Sequence, residues 1–210
     1  MENQQELFKG ELMEEKLRIY FLNSGYFVVR GIKYGYEGNE ITDIDLVLYG
    51  RVSILSRERT NVDIKNKKSP KAFERILWTK GVQELLNFDN CVVATMDRKD
   101  SVRSYAKKHG ITILDGNFLQ KLTYTLDDRL SEEELLSLFG NLSSYKEFPN
   151  QNWRSLYENS KSRLLDQLDF SGYNTNLIFL NYFLQKTFDP QKKETAIRAT
   201  YIFISHNLLT

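Results

Sequence analysis

Residues 61–67 read NVDIKNK. Val62 and Ile64 are β-branched and two apart, so they share one face of a pleated strand, and Asp63 and Lys65 share the other. An acid and a lysine therefore point the same way, with Lys67 and Lys68 directly behind them. Upstream, residues 41–49 read ITDIDLVLY, a second strand with Ile44, Leu46 and Leu48 on one side and Asp43, Asp45 and Val47 on the other. Residues 26–32, YFVVRGI, supply a third strand, and a polar, glycine-containing turn, YGYEGNE, joins it to the second. Before these strands, residues 4–23 carry Leu12, Leu17, Ile19, Tyr20, Phe21 and Leu22 at helical spacing, and Gly25 ends that helix.

Downstream, Ser69-Pro70 is a helix opening, with Ser69 as N-cap and Pro70 at the first helical position, and the helix is predicted to run to about Phe88. CVVATM (91–96) is a continuous apolar run, the pattern of a strand buried on both faces. A helix closing on Gly110, the short strand ITIL (111–114) and a last helix in GNFLQKLTY follow. The order αβββαβαβα predicts an α/β fold, a mixed sheet flanked by helices. From about residue 125 the strands disappear. Ser131 and Glu134 have capping-box spacing, Asp189-Pro190 starts the last helical stretch, and everything between is helical in pattern. The division expected is therefore 1–124 and an α-helical module, 125–210.

Composition sets outer bounds. Hydrophobic residues at 41% and charged residues at 27% describe an ordinary globular chain. The lone cysteine, Cys91, excludes an intramolecular disulfide framework and fits a reducing cytoplasm. The N-terminal MENQQELFKGELMEEK lacks the basic-then-apolar order of a signal peptide, and no apolar run approaches the roughly 20 residues that span a bilayer. No membrane partner is expected. His109 and His206 have no histidine or cysteine partner at metal-ligand spacing, and no glycine-rich phosphate loop occurs. Trp78 and Trp153 are expected in the core or an interface rather than as base-stacking platforms. Residues 51–80 hold nine Lys/Arg against three acids, a local charge of +6 that suits a polyanion and equally a solvated face. The apolar helical pattern at residues 207–210 leaves open a homodimer or larger assembly through the helical C-terminal part.

Asp45 and Asp63 on neighbouring strands would repel one another unless a cation sits between them. A hard divalent ion such as Mg²⁺ is bound by one or two carboxylates with water and phosphate oxygens, and Lys65 beside it could hold a water or offset charge on phosphorus. Taken one at a time, the same residues also fit an exposed salt bridge and a solvated strand face.

The layout resembles the PD-(D/E)XK nuclease superfamily: a helix bearing a glutamate, a strand ending in an acid, a strand carrying (D/E)-x-K, then a helix. Here Asp45 stands as the first acid and Asp63-Ile64-Lys65 as the second element. ELMEEKLRIYFLNSGYFVVRG is similar to the archaeal Holliday junction resolvase and Mrr-type restriction endonuclease branches, with Glu14 matching the helical ligand and Glu15 and Glu11 as alternatives. Asp63 stands where glutamate is commoner, and Asp43 rivals Asp45. The resemblance covers about residues 5–120. It implies a restriction-endonuclease-like αβββαβ core; Mg²⁺ or Mn²⁺ on Asp45, Asp63 and Glu14; Lys65 as a catalytic residue; and DNA as substrate, in defence or DNA processing. Lys67, Lys68, Lys71 and Arg75 of the basic segment are then expected on DNA phosphates. The alternative is a nuclease-like domain that binds nucleic acid or protein without cutting.

Overall fold

A computed structural model describes residues 9–67, 71–122, 129–140, 142, 148 and 150–210. Lys68, the expected helix opening at Ser69-Pro70, and the expected boundary near residue 125 lie outside the described residues.

The three strands read around NVDIK form one side of a five-stranded sheet in the order β1-β2-β3-β4-β5, with NVDIK on the central strand. β1 spans Phe27–Tyr36, β2 Asn39–Arg51, β3 Arg57–Lys65, β4 Asn90–Thr95 and β5 Thr112–Leu114. β2 and β3 are antiparallel, whereas β3, β4 and β5 are parallel, so the sheet is mixed. Parallel neighbours need crossovers, and the helices α2 (Ala72–Leu85) and α3 (Asp100–Lys108) provide them. α1 (Lys9–Asn23) precedes the sheet and α4 (Gly116–Lys121) follows it.

Alternation sorts the side chains into two cores. Leu46, Leu48, Val62, Ile64, Val92 and Ala94 pack with Leu17 and Phe21 of α1 and Leu119 of α4. On the other face, Cys91 and Val93 pack with Ala72 and Ile76 of α2 and Val102 and Ala106 of α3. Covered on both sides, β3 is buried without interruption from Thr60 to Ile64. Asp63 falls inside that run, opposite Val93 of β4 and on the α2 face.

Local signals end two of the helices where the sequence placed them. Gly25 (φ 90°) follows α1 and Gly110 (φ 69°) follows α3, both in the left-handed region that glycine tolerates. The link between β1 and β2 is tighter than the seven-residue turn expected. The strands run on to Tyr36 and from Asn39, and Glu37 (φ 49°) and Gly38 (φ 80°) alone make the turn. Two successive positive φ angles are the type I′ geometry that suits strand twist. α2 stops at Leu85, one turn short of the predicted end, with Asn87 in a left-handed conformation just beyond.

The chain divides into two compact units, Met1–Ile32 with Asp43–Arg129, and Lys33–Thr42 with Leu130–Thr210. The hairpin tip thus groups with the helices, and the Ser162 hydroxyl donates to the Lys33 carbonyl at 2.7 Å. Strand alternation carries no signal for that exchange, because it is the same whichever unit the hairpin joins. The second unit holds α5 (Glu132–Gly140), α6 (Trp153–Asp166), α7 (Phe170–Lys186) and α8 (Lys193–Leu209) around Phe139, Trp153, Leu156, Phe179, Phe183 and Phe203.

The capping box forms as predicted: Glu134 accepts from the Ser131 amide at 2.8 Å, and the Ser131 hydroxyl accepts from the Glu134 amide at 3.2 Å. α8 starts later than Asp189-Pro190 because the Asp189 carboxylate accepts from the Gln191 amide at 3.0 Å and closes a turn there. His206 is buried with its Nδ1 2.7 Å from the Ser160 hydroxyl, and burial together with Lys161 pushes its pKa down to about 3. It is a neutral core histidine. Among the described residues no helix is long and apolar enough to cross a membrane.

Glu37 is the one non-glycine in the hairpin turn, and asparagine adopts positive φ more readily. Glu37→Asn is expected to stabilise the protein by roughly 0.5–1 kcal/mol, read as a higher midpoint in urea; an unchanged or lower midpoint contradicts the turn assignment.

Candidate functional site

The site grows from the end of the β2/β3 ladder. Pairing runs from Arg51 opposite Arg57 to Leu46 opposite Val62. One residue further on, the Asp45 side chain takes over the backbone's role: its Oδ2 accepts from the Ile64 amide at 2.6 Å. The carboxylate therefore sits between the two strands, beside Asp63 and Lys65. Burial pushes its pKa up to about 7 despite that amide, Asp63 and Glu14 add repulsion, and Lys65 opposes the rise. Three of the residues singled out in the sequence, Asp63, Glu14 and Lys65, thus act electrostatically on the fourth, Asp45.

Each has a different degree of freedom. Asp63 is buried, and the Arg75 guanidinium of α2 grips both its oxygens: Nε donates to Oδ2 at 2.8 Å and Nη2 donates to Oδ1. The same guanidinium lies over the Trp78 ring at 4.2 Å. Lys65, two residues along and partly exposed, has no hydrogen-bond or ion-pair partner among the described residues.

Of the three candidate glutamates, Glu15 is enclosed. Arg18 Nε donates to it at 2.8 Å, and Arg30 Nη1 lies 3.4 Å away. Glu14 accepts from Arg30 Nε at 3.0 Å, keeps part of its surface open, and is the helical glutamate whose charge reaches Asp45. Arg30 itself is buried in β1. Asp43 is exposed and does not figure among the charges acting on Asp45.

The basic segment disperses. Arg75 faces Asp63 rather than standing free on the surface, because the buried carboxylate needs a fork-shaped counter-ion. Arg59 stacks on Phe88 and donates to the Leu86 and Asn87 carbonyls. Lys71 is exposed and pairs with Glu74 at 3.1 Å. Lys67 is exposed without a partner among the described residues. A cleft of about 500 Å³ opens near Thr60, Asn90 and Thr112, among Tyr20, Phe21 and Tyr26. Those three residues begin or precede the parallel runs, so the cleft lies at the other end of the strands, and no candidate site residue lines it.

Among the described residues no three His, Cys, Asp or Glu side chains gather closely enough to hold a metal ion as they stand. The donor chemistry nevertheless fits a hard divalent cation. Asp45 and Asp63 offer oxygen on adjacent strands, two carboxylates with water are a usual Mg²⁺ complement, and each Asp63 oxygen keeps a second lone pair beside Arg75. Glu14, held by Arg30, could join through a water.

Two stability measurements probe this arrangement. The Asp45 carboxyl titrates near 7 in the fold against 3.8 in the unfolded chain, so the native state carries the extra proton between those values. Stability then falls as pH rises through that window, and the penalty is complete above pH 7. Asp45→Asn is expected to raise the melting temperature at pH 8, by up to about 4 kcal/mol of stability, and to leave it nearly unchanged at pH 4. An equal effect at both pH values contradicts the titration. Arg75→Ala strands the buried Asp63 charge and should cost about 3 kcal/mol; Mn²⁺ should restore more stability to this variant than to the wild type, whereas a loss that Mn²⁺ does not touch removes Asp63 from the metal's reach. No family model, curated protein or solved structure matches the chain, so the functional argument rests on this geometry and on the sequence pattern.

Proposed function

We propose that the sheet-containing unit is a metal-dependent phosphodiesterase of the PD-(D/E)XK type, with a restriction-endonuclease-like core, that hydrolyses DNA. The observation that supports the reading is the opening of the β2/β3 ladder at Asp45, whose carboxyl feels the charges of the buried Asp63 and of Lys65. Neither an exposed salt bridge nor a solvated strand face explains that arrangement. Asp63 is buried, and its partner is Arg75 rather than Lys65.

In this reading Asp45 and Asp63, with Glu14 behind Arg30, hold Mg²⁺ or Mn²⁺. A divalent ion there supplies Lewis-acid polarisation of the phosphate and a lowered pKa for its water. Lys65 positions the attacking water by hydrogen bonding and offsets charge on the phosphate oxygens. Arg75 fixes the Asp63 carboxylate plane, while the exposed Lys67 and Lys71 meet backbone phosphates, which fix orientation without reading sequence. One observation favours the runner-up, a nuclease-like module that binds without cutting. The Arg75 fork already neutralises the second acid.

Two variants separate the readings. Lys65→Ala should lose cleavage by at least about a hundredfold yet keep Mn²⁺ and DNA binding, whereas Asp63→Ala should lose metal binding and cleavage together. A wild-type protein that binds DNA but cuts no junction, duplex or single strand with either metal supports the binding module. DNA affinity should also fall with salt at a log–log slope of roughly −0.9 per phosphate neutralised; a slope unchanged by Lys67→Ala with Lys71→Ala moves the DNA surface elsewhere.

A further inference from the structure

Helices α7 and α8 each carry a buried apolar row and, roughly a third of a turn round, an exposed one. Their inner rows, Asn176, Phe179 and Phe183 on α7 and Ala196, Ala199 and Phe203 on α8, are buried in the second unit's core. On the outer side of α7, Phe170, Tyr173, Leu177 and Leu184 recur at intervals of three, four and seven residues and are exposed, Phe170 by 87%. Ile197, Tyr201, Ile204 and Leu208 repeat at four, three and four on the outer side of α8, with Tyr201 69% and Leu208 71% exposed. Phe188, just past the end of α7, is 86% exposed as well. This is the three-and-four spacing with which helices pack on helices, and a helix with two apolar rows is ordinarily covered along both.

Charge and area narrow what could cover it. From Phe170 to Gln185 the chain has no Asp, Glu, Lys, Arg or His. On α8, the exposed Arg198 and Glu194 neutralise one another at 3.0 Å, and Lys193 at its first position adds one exposed cation at the end of the row. A nucleic acid or an anionic lipid surface would find little cationic field here. A face whose charge is confined to one end of α8 can meet a copy of itself with little repulsion in an antiparallel two-fold arrangement. The exposed fractions of these nine side chains amount to roughly 1,000 Å², above the few hundred of an ordinary surface patch and matching the ~800 Å² per partner of a stable interface.

We propose that the outer face of α7 and α8 is the contact of a two-fold homodimer, in which the helix pair packs on the same pair of a second copy as a four-helix bundle. The two helices are joined by the six residues between Lys186 and Lys193, which makes them an antiparallel hairpin, and two such hairpins face to face bury both outer rows at once. The inference is independent of the activity proposed above.

Sedimentation of the full chain across a wide concentration range tests it. The expected species has twice the 24.7 kDa of one chain. Leu177→Glu with Tyr201→Glu should weaken self-association by roughly a hundredfold or more and leave the helical circular dichroism unchanged, since both side chains are exposed in the single chain. If the double variant fails to fold, hydroxyl-radical footprinting of the wild type decides, with oxidation of Phe170, Phe188 and Tyr201 falling as concentration rises. A monomer at every concentration overturns the proposal. So does a dimer indifferent to both substitutions, oxidation independent of concentration, or a monomer that sediments with lipid vesicles.

Discussion

A carboxylate on the central strand of a sheet covered on both faces must be neutralised, and Asp63 meets that demand through Arg75. Much of the first unit is arranged around this one contact. It requires α2 to lie across β3 on the face opposite α1, with Ala72 and Ile76 packed close enough to aim the guanidinium. The Trp78 ring then supports the guanidinium with its face. A buried ion pair of this kind adds little net stability compared with an apolar pair of similar volume. Its presence on a strand otherwise built from Val62, Ile64 and their neighbours is therefore informative.

The neighbouring charges show the same economy. Glu15 is closed in by Arg18 and Arg30, which leaves Glu14 as the helical acid able to influence Asp45. Asp45 gains one backbone amide and no counter-ion in direct contact, and its carboxyl is accordingly pushed up towards neutrality. Lys65 stands beside it without a partner among the described residues. Three arginines thus hold the surrounding acids in place while one carboxyl and one ammonium are left uncommitted. Both lie where the β2/β3 pairing opens, the Asp45 carboxyl held only by the Ile64 amide.

Much of this was legible in the residues. Alternation in NVDIK and ITDIDLVLY places Asp63, Lys65 and Asp45 on one side of adjacent strands, and the apolar run at Cys91–Thr95 marks a parallel neighbour. The choice among Glu11, Glu14 and Glu15 was not legible, because it depends on where Arg18 and Arg30 reach. Nor was Arg75, assigned by its charge to the basic surface. A signal existed, since Arg75 is three residues after Ala72 and four before Thr79, on the buried side of α2, where a cation needs an acid. The short hairpin turn was missed because two glycines and a run of polar residues look like a longer loop, whereas strand pairing extends to Glu37 and Gly38.

The central claim is that Asp45 and Asp63 are kept together for a divalent cation. Calorimetric titration of the wild type with Mn²⁺ at pH 7, repeated in buffers of different ionisation enthalpy, tests it most directly. A carboxyl titrating near 7 must give up its proton to bind metal, so the account predicts one ion per chain with a fraction of a proton released, and no release from Asp45→Asn. No heat of binding at any pH, or binding whose enthalpy is the same in every buffer and survives Asp63→Ala, would contradict it.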